Sequence, residues 1–238
     1  MSKKTKYIIS KKCSALFDNA KAKFLGNLIW RNSPDTLLYC PIIDFSIIPN
    51  NFDLKKLTTS KVSHLMVEVG TGNGDFLAYI DKKETRAMII GFEIVKEYYL
   101  KTKNKITRNL YTNAKISHSE AFKTIQNKFQ DNSITKLYIN FPDPWPKKKH
   151  QKRRFLTEDK LPEILNKIKN KGEIIFVTDH INYAQEVEII CQKFIESKKI
   201  NIKTTNNIPQ DYPQTKYYKK WIGQNKTEFR TIIITKIS

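Results

Sequence analysis

The sequence predicts a mostly parallel, doubly wound α/β sheet with an antiparallel edge. Two observations support this prediction. From residue 62 onward, short apolar runs rich in β-forming residues alternate with segments of helical periodicity, which is typical of strand–helix–strand units. Two further β-rich stretches, residues 200–205 and 229–235, lie near the C-terminus and suit antiparallel pairing at one edge of the sheet.

The first predicted strand, residues 62–69, is a short apolar run that ends in a glycine-rich turn. The other predicted strands of the parallel part share this apolar, β-branched character and cover residues 87–92, 114–118, 134–139 and 173–178. The predicted helices share apolar residues at helical spacing and cover residues 75–82, 95–110, 121–129, 156–168 and 183–195.

The chain of 238 residues is long enough for one α/β domain, and no linker rich in proline, glycine or serine divides it. We therefore expect one folded domain over residues 62–238, preceded by a basic N-terminal extension over residues 1–61. Within this extension the pattern allows a basic helix over residues 14–28.

The formal net charge of +20 favours a polyanionic partner, which is either a nucleic acid or an anionic membrane. The membrane is the weaker option, because no apolar run reaches spanning length and the first twelve residues lack a signal-peptide core. We therefore expect a cytoplasmic protein. The three cysteines, Cys13, Cys40 and Cys191, are scattered and odd in number, so we expect reduced structural thiols and no metal site.

A proline-rich loop with one acidic residue follows the fourth predicted strand. Residues 140–146 read Asn-Phe-Pro-Asp-Pro-Trp-Pro, and residues 147–154 then contain six Lys or Arg and no carboxylate. The prolines exclude a helix and should push the residue before each of them into extended geometry, which makes the loop rigid. Ligands bind at the carboxyl ends of strands in open α/β sheets, so we expect Asp143 to lie at the active site. The basic run should contact phosphates, unless it is simply solvated surface.

The first strand ends in Glu-Val-Gly-Thr-Gly-Asn-Gly, at residues 68–74. Gly70 and Gly72 allow a tight turn and a close approach of the backbone to a ligand. The third glycine comes one position too early for a dinucleotide fingerprint, and the acidic Glu68 would repel a phosphate. A cationic ligand such as S-adenosylmethionine fits better. An ordinary strand-to-helix turn is the alternative.

Two further acids follow predicted strands. Glu93 lies about 20 residues after the glycines, where an acid can hold both ribose hydroxyls of a nucleoside cofactor; a surface glutamate facing Lys96 is the alternative. Glu120 is placed either to accept a hydrogen bond from an adenine amine or to stabilise the start of the next helix. Near the C-terminus, residues 212–230 interleave five Lys or Arg with aromatic residues, which suits phosphate contact with base stacking.

The glycine turn, Glu93 and above all residues 140–154 closely resemble the bacterial tRNA (guanine-N7)-methyltransferase family, and the similarity extends from about residue 68 to the C-terminus. The resemblance implies a Rossmann-like class I methyltransferase fold, S-adenosylmethionine as cofactor, and methylation of guanine N7 in tRNA, at position 46 of the variable loop. It implies cofactor contacts for Glu68, Glu93, Glu120 and Asp143, with Asp143 also the catalytic acid. It implies tRNA contacts for Lys147, Asp179, Thr215, Lys216, Tyr217 and Tyr218. The family usually has Asp in place of Glu120 and an acid in place of Tyr218.

Guanine N7 carries a free lone pair, so its methylation requires no proton abstraction from the nucleophile. Alignment and electrostatics should therefore matter more than general-base catalysis, and Asp143 would orient the guanine or stabilise the positive methyl donor. Two alternatives remain. An enzyme that methylates an exocyclic amine usually has a tandem Pro-Pro that this loop lacks. A basic RNA-binding protein without catalysis would not need acids in its cleft.

Overall fold

The structure is a computed structural model that describes residues 42–46, 48–57, 62–109, 113–223 and 228–237. Its strands are β1 (His64–Val69), β2 (Ala87–Phe92), β3 (Ala114–Ser117), β4 (Ile134–Asn140), β5 (Ile168–Thr178), β6 (Ile200–Thr205) and β7 (Arg230–Lys236). Its α-helices are α1 (Asp75–Lys83), α2 (Lys96–Asn109), α3 (Ala121–Lys128), α4 (Lys160–Lys167), α5 (Ile181–Glu196) and α6 (Lys216–Gly223). Two short 3₁₀ helices cover Leu54–Leu57 and Lys148–Arg153. The helix predicted over residues 14–28 lies outside the described residues.

The strands form one sheet in the order β3-β2-β1-β4-β5-β7-β6. The pairs from β3 to β5 are parallel, whereas β7 runs antiparallel to both β5 and β6. The predicted fold class is therefore confirmed, including the antiparallel pairing of the last two strands. The order reverses between β1 and β4, which creates a crevice at the carboxyl ends of these two strands.

Both faces of the sheet are covered by helices. Successive residues of β1 point to opposite faces, so that Leu65 and Val67 pack with α3, α4 and α5, whereas Met66 packs with α1 and α2. Residues 42–57, which belong to the predicted extension, also contribute to the core: the Phe45 ring stacks on Phe92 with 5.6 Å between the ring centroids. The domain boundary at residue 61 stays a prediction.

The predicted helix over residues 156–168 is longer than the observed α4. Residues 154–156 form a bend, and α4 begins at Lys160 after a turn in which the Lys160 and Leu161 N–H groups donate to the Thr157 carbonyl. Ile168 pairs with Ile134 and begins β5. Helix α6 was not predicted, because its aromatic and basic residues were interpreted only as a nucleic-acid contact.

Cys191 is a buried free thiol in α5, and burial raises its pKa to about 12. This agrees with a structural role. None of the described helices combines the length and the apolar composition needed to cross a membrane.

Candidate active site

A cleft of about 840 Å³ opens at the carboxyl ends of β1 and β4, where the strand order reverses. The predicted site residues that line it are Gly70, Gly72, Glu93, Glu120, Asp143, Lys216 and Tyr217. Lys147, Asp179 and Tyr218 lie outside this lining. The fold thus joins the glycine turn, two of the acids and the proline loop in one cavity. No group of three or more potential metal ligands occurs among the described residues.

The turn after β1 exposes its backbone to the cleft. Gly70 and Gly72 have φ of 73° and 53°, the left-handed region that glycine adopts readily, and a Cβ at either position would meet no atom within 4 Å. The carbonyl of Gly72 accepts a hydrogen bond from the buried Thr102 hydroxyl at 2.9 Å. The hydrogen bond from Thr102 therefore fixes the turn on the side of the protein interior, while the side that faces the cleft stays open for a ligand.

Glu93 is buried, with 6% of its surface exposed, and its carboxylate is held by backbone groups. One oxygen accepts from the Gly72 N–H at 2.8 Å, and the other accepts from the Val95 N–H at 2.9 Å. Each oxygen keeps a further lone pair for a ligand hydroxyl. The alternative of an exposed glutamate facing Lys96 is wrong, because Glu93 points inward and links β2 to the glycine turn.

Glu68 lies at the bottom of a smaller cavity of about 60 Å³ that adjoins the main cleft. It is 2% exposed, and its Oε2 atom has no hydrogen-bond partner among the described residues. Burial raises the pKa of this carboxyl to about 8; the nearby Asn140 side chain opposes the shift, and the negative charges of Glu93 and Asp75 add to it. Without a bound cation, Glu68 is therefore mostly protonated at neutral pH.

Two more buried polar groups accompany Glu68. The hydroxyl of Thr71 and both polar atoms of the Asn140 amide lack partners within the described part of the chain. Buried polar groups are normally satisfied, so three such groups around one small cavity indicate that a polar ligand completes their hydrogen bonds.

Glu120 caps helix α3. Its two carboxylate oxygens accept from the backbone N–H groups of Phe122 and Lys123 at 2.9 and 2.8 Å. The role at the start of the next helix, one of the two considered, is thus present in the structure. The residue also lines the cleft, and its contact with a cofactor stays a prediction.

Asp143 is exposed at the rim of the cleft, in a loop with unusual backbone geometry. Phe141 and Trp145, each followed by a proline, have φ of 49° and 41°. The expectation of extended geometry at these positions is therefore wrong: non-glycine residues rarely adopt such φ, and surrounding contacts must hold them there. The Phe141 N–H donates to the Val177 carbonyl at 2.7 Å, and the Arg153 guanidinium lies over the Trp145 ring, 4.9 Å from its centroid.

The basic run after this loop divides into two parts. Lys147, Lys148, Lys149, Lys152 and Arg153 are exposed. Arg154, expected to contact phosphate with the others, is instead 2% exposed and paired with Glu186 of α5. This expectation was wrong for Arg154, because its side chain turns into the domain.

Helix α6 and the residues before it border the cleft next to the glycine turn, which Asp75 and Phe76 directly follow. Tyr212 packs against Phe76 with 5.3 Å between ring centroids, and the Lys216 N–H donates to Asp75 at 3.0 Å. The Tyr217 ring lies 5.0 Å from that of Phe141. These contacts explain why an aromatic, basic segment forms an ordered helix at this place.

The residues of α6, and the one before it, that were predicted to contact tRNA differ in their surroundings within the protein. The Thr215 hydroxyl accepts from the Tyr218 N–H at 3.1 Å and so caps α6. Tyr218 packs against Phe229, with 6.3 Å between the ring centroids. Burial raises the pKa of Tyr217, a hydrogen bond with Trp221 opposes this, and the charges of Asp179 and Asp143 add to it, so both carboxylates lie near this ring.

Comparison with known proteins gives the family. The model of a family described as "Putative methyltransferase" matches residues 62–231. A tRNA (guanine-N(7)-)-methyltransferase from Buchnera aphidicola is 31% identical over 203 residues, which cover 84% of this chain and 78% of that protein. The chain belongs to the tRNA (guanine-N7)-methyltransferase family. The resemblance seen in residues 68–74 and 140–154 is thereby confirmed.

Another member of the family, from Thermotoga maritima, is 32% identical over 193 residues, covering 79% of this chain and 60% of that relative. The Aquifex aeolicus member is 29% identical, and the match covers 57% of its length. The chain thus spans less than two thirds of these two relatives. Among solved structures, a 16S rRNA methyltransferase is similar with a TM-score of 0.57 and 10% sequence identity; the match covers 75% of this chain and 90% of that one. An O-methyltransferase from Thermotoga maritima has a TM-score of 0.51 and 14% sequence identity, and the match covers 75% of this chain and 61% of that one. These structures support the methyltransferase fold.

Three residues that shape the site of this family member were not predicted to do so. Thr102 supports the glycine turn from α2, Tyr212 forms the wall beside Phe76, and Arg154 contacts the proline loop. Thr102 fits helical spacing and Tyr212 precedes a proline, so neither carries a local signal for a site. Arg154 was assigned to the basic run because its neighbours are cationic.

Proposed function

We propose that this chain transfers a methyl group from S-adenosylmethionine to N7 of a guanine in tRNA, at position 46 of the variable loop. The supporting observation is that the cleft, with the smaller cavity that adjoins it, joins the buried acids Glu93 and Glu68 to the Asp143 loop and an exposed cationic rim. The names of its relatives in the family support the same reaction.

The residues of the cleft fit this cofactor. The unpaired atoms of Glu68, Thr71 and Asn140 form an acidic, polar cavity that suits an ammonium group. The open backbone of Gly70 and Gly72 admits close approach of the methionine portion. The Glu93 carboxylate retains lone pairs for ribose hydroxyls. When bound, S-adenosylmethionine supplies an electrophilic methyl group on a sulfonium.

Asp143 then acts by position and charge. Guanine N7 needs no general base, because its lone pair is free at neutral pH. An exposed carboxylate at the rim can accept hydrogen bonds from the guanine N1–H and N2–H groups, which places N7 at a fixed angle toward the cleft. The rings of Trp145 and Tyr217 line the same rim and can stack on a displaced base.

The exposed cations of residues 147–153 lie next to this rim and supply the sequence-independent part of tRNA binding. They include Lys147, the residue that precedes the 3₁₀ helix directly after the proline loop. Lys216 and Lys220 also line the cleft. Phosphate contacts from both segments would hold the target nucleotide over the cavity.

The test is incubation of the protein with unmodified tRNA and labelled S-adenosylmethionine, followed by nucleoside mass spectrometry. We expect one 7-methylguanosine per tRNA, and none when guanosine 46 is replaced by adenosine. Methyl transfer to an exocyclic amine would support the alternative enzyme. Tight tRNA binding without cofactor binding or transfer would support the non-catalytic alternative.

A further inference from the structure

Arg154 is the last of the six basic residues after the proline loop, yet its guanidinium is buried between that loop and helix α5. Its Nε donates to the Pro144 carbonyl at 2.7 Å, and its Nη1 pairs with the Glu186 carboxylate. The guanidinium also lies over the Tyr183 ring, 4.6 Å from the centroid. The first two contacts use the planar donor fork that distinguishes arginine from lysine, and the third uses the flat face of the guanidinium.

A buried guanidinium with these contacts is a poor phosphate ligand. Its charge is balanced by Glu186, and its exposure of 2% leaves no face for RNA. Moving it to the surface would leave the Glu186 charge unpaired and remove the only hydrogen bond described for the Pro144 carbonyl. Electrostatic attraction to RNA therefore does not explain why an arginine occupies this position.

The bond to Pro144 acts on the residue next to Asp143. The loop contains positive φ at Phe141 and Trp145, on either side of this acid, and such geometry persists only where the surroundings impose it. Arg154 provides such a restraint by joining the loop to α5. A second restraint is the buried Tyr183, whose hydroxyl is bonded to the backbone of Leu156 at 3.0 Å.

We propose that Arg154 is a positioning residue that sets the Asp143 carboxylate through the Pro144 carbonyl, and that it does not bind tRNA. The proposal rests on the function proposed above, in which Asp143 meets the target guanine. Glu186 orients the guanidinium and is the second member of this arrangement. A loss of the Pro144 contact lets the loop relax, so that Asp143 moves away from the position needed for transfer.

The test uses Arg154→Lys in the full chain, with Lys152→Ala as a matched control at an exposed cation of the same run. Arg154→Lys keeps the charge and loses the fork, so we expect kcat to fall by about a hundredfold, the size expected for a misplacement of about 1 Å. We expect its dissociation constant for tRNA to equal that of the wild type, and we expect Arg154→Gln, which removes the charge, to keep the wild-type salt slope. Lys152→Ala should instead weaken tRNA binding, and its salt slope should be smaller than that of the wild type by about 0.7 to 0.9.

Glu186 offers a second, independent variant, because its side chain is 36% exposed and its truncation removes no core packing. Glu186→Gln keeps an acceptor for Arg154 and should retain more of kcat than Glu186→Ala. Thermal melting would reveal whether Arg154→Lys folds. If it does not fold, the comparison of Glu186→Gln with Glu186→Ala tests whether Arg154 positions Asp143.

Three results would overturn the inference: a wild-type kcat in folded Arg154→Lys, a salt slope reduced in Arg154→Gln as in Lys152→Ala, or a wild-type kcat in Glu186→Ala. Failure of the wild-type protein to methylate tRNA would instead overturn the proposed function. The two failures are therefore distinguished by the wild-type assay alone.

Discussion

Replacing Glu68 with glutamine should remove a pH dependence of cofactor binding that the wild-type protein possesses. In the wild type, burial raises the pKa of this carboxyl to about 8, so a proton occupies it at neutral pH when no cation is bound. An ammonium group in the adjoining cavity favours the carboxylate form, and binding therefore releases the proton. Glutamine has the same shape but cannot titrate.

The magnitude follows from the pKa. At pH 7 about nine tenths of the empty protein carries the proton, so binding should release about 0.9 proton and apparent affinity should be about tenfold below its plateau. Affinity should rise about tenfold between pH 6 and pH 7, below the range in which the α-amino group of the cofactor loses its own proton. The other titratable residues that line this cavity are Asp75, Tyr212, Lys216 and Tyr217, and the Asp75 charge is paired with Lys105.

The assay is isothermal titration calorimetry with S-adenosylmethionine in buffers of different ionisation enthalpy, which counts protons directly. Glu68→Gln should bind more weakly than the wild type at pH 8, and at pH 6 and pH 7 it should show the same affinity and release no proton. The reasoning would be refuted if the wild type released no proton on binding, or if Glu68→Gln released as many protons as the wild type.

The same shift has a consequence for stability without cofactor. The pKa of Glu68 is higher in the folded protein than in the unfolded chain. The protonated carboxyl therefore contributes to the free energy of unfolding in full below pH 4.5, and this contribution is lost as the pH rises through about 8. The free energy of unfolding of the wild type should therefore fall across this window relative to Glu68→Gln. Urea unfolding at pH 5 and pH 8 measures the difference.

Three further outcomes are expected. Asp143→Asn removes one charge while preserving shape, so methyl transfer should fall by about a hundredfold or more with an unchanged melting temperature, and wild-type turnover would remove Asp143 from the catalytic role. Glu93→Ala removes the carboxylate that holds the glycine turn, so cofactor affinity measured by calorimetry should fall at least about tenfold while tRNA affinity stays within about twofold; equal cofactor affinity would contradict this assignment. Replacing both Lys152 and Arg153 with alanine should flatten the plot of log K for tRNA against log salt concentration by about 1.4 to 1.8, and an unchanged slope would identify these residues as solvated surface.

Much of the fold follows from patterns along the chain. Each buried strand of the parallel part is a short apolar run between turn signals, and each crossover contains a helical repeat, so the predicted α/β class agrees with the observed sheet. Helix boundaries were less well predicted where tertiary contacts compete with local pattern. Ile168 fits the predicted helical repeat, but it pairs with Ile134 of β4 and so begins β5.

The location of the site was also predictable from local features. Gly70, Glu93 and Asp143 each follow a strand, and the carboxyl ends of parallel strands meet at one edge of the sheet. The orientation of the Glu93 side chain, however, could not be predicted from local features. The sequence allowed either an exposed or a ligand-facing glutamate, and its bonds to the Gly72 and Val95 N–H groups selected the buried orientation.

The sequence by itself therefore determined the order of strands and helices, the family motif and the edge of the sheet where chemistry takes place, because these depend on residues close together in the chain. Only the tertiary structure decided the roles of the individual charges. Arg154 belongs to a cationic run in sequence, yet it pairs with Glu186, 32 residues away, and turns inward. Glu68 lies beside glycines in sequence, but its raised pKa arises from burial among groups of three strands and a distant loop. Burial and electrostatic partners depend on long-range packing, which no local pattern encodes.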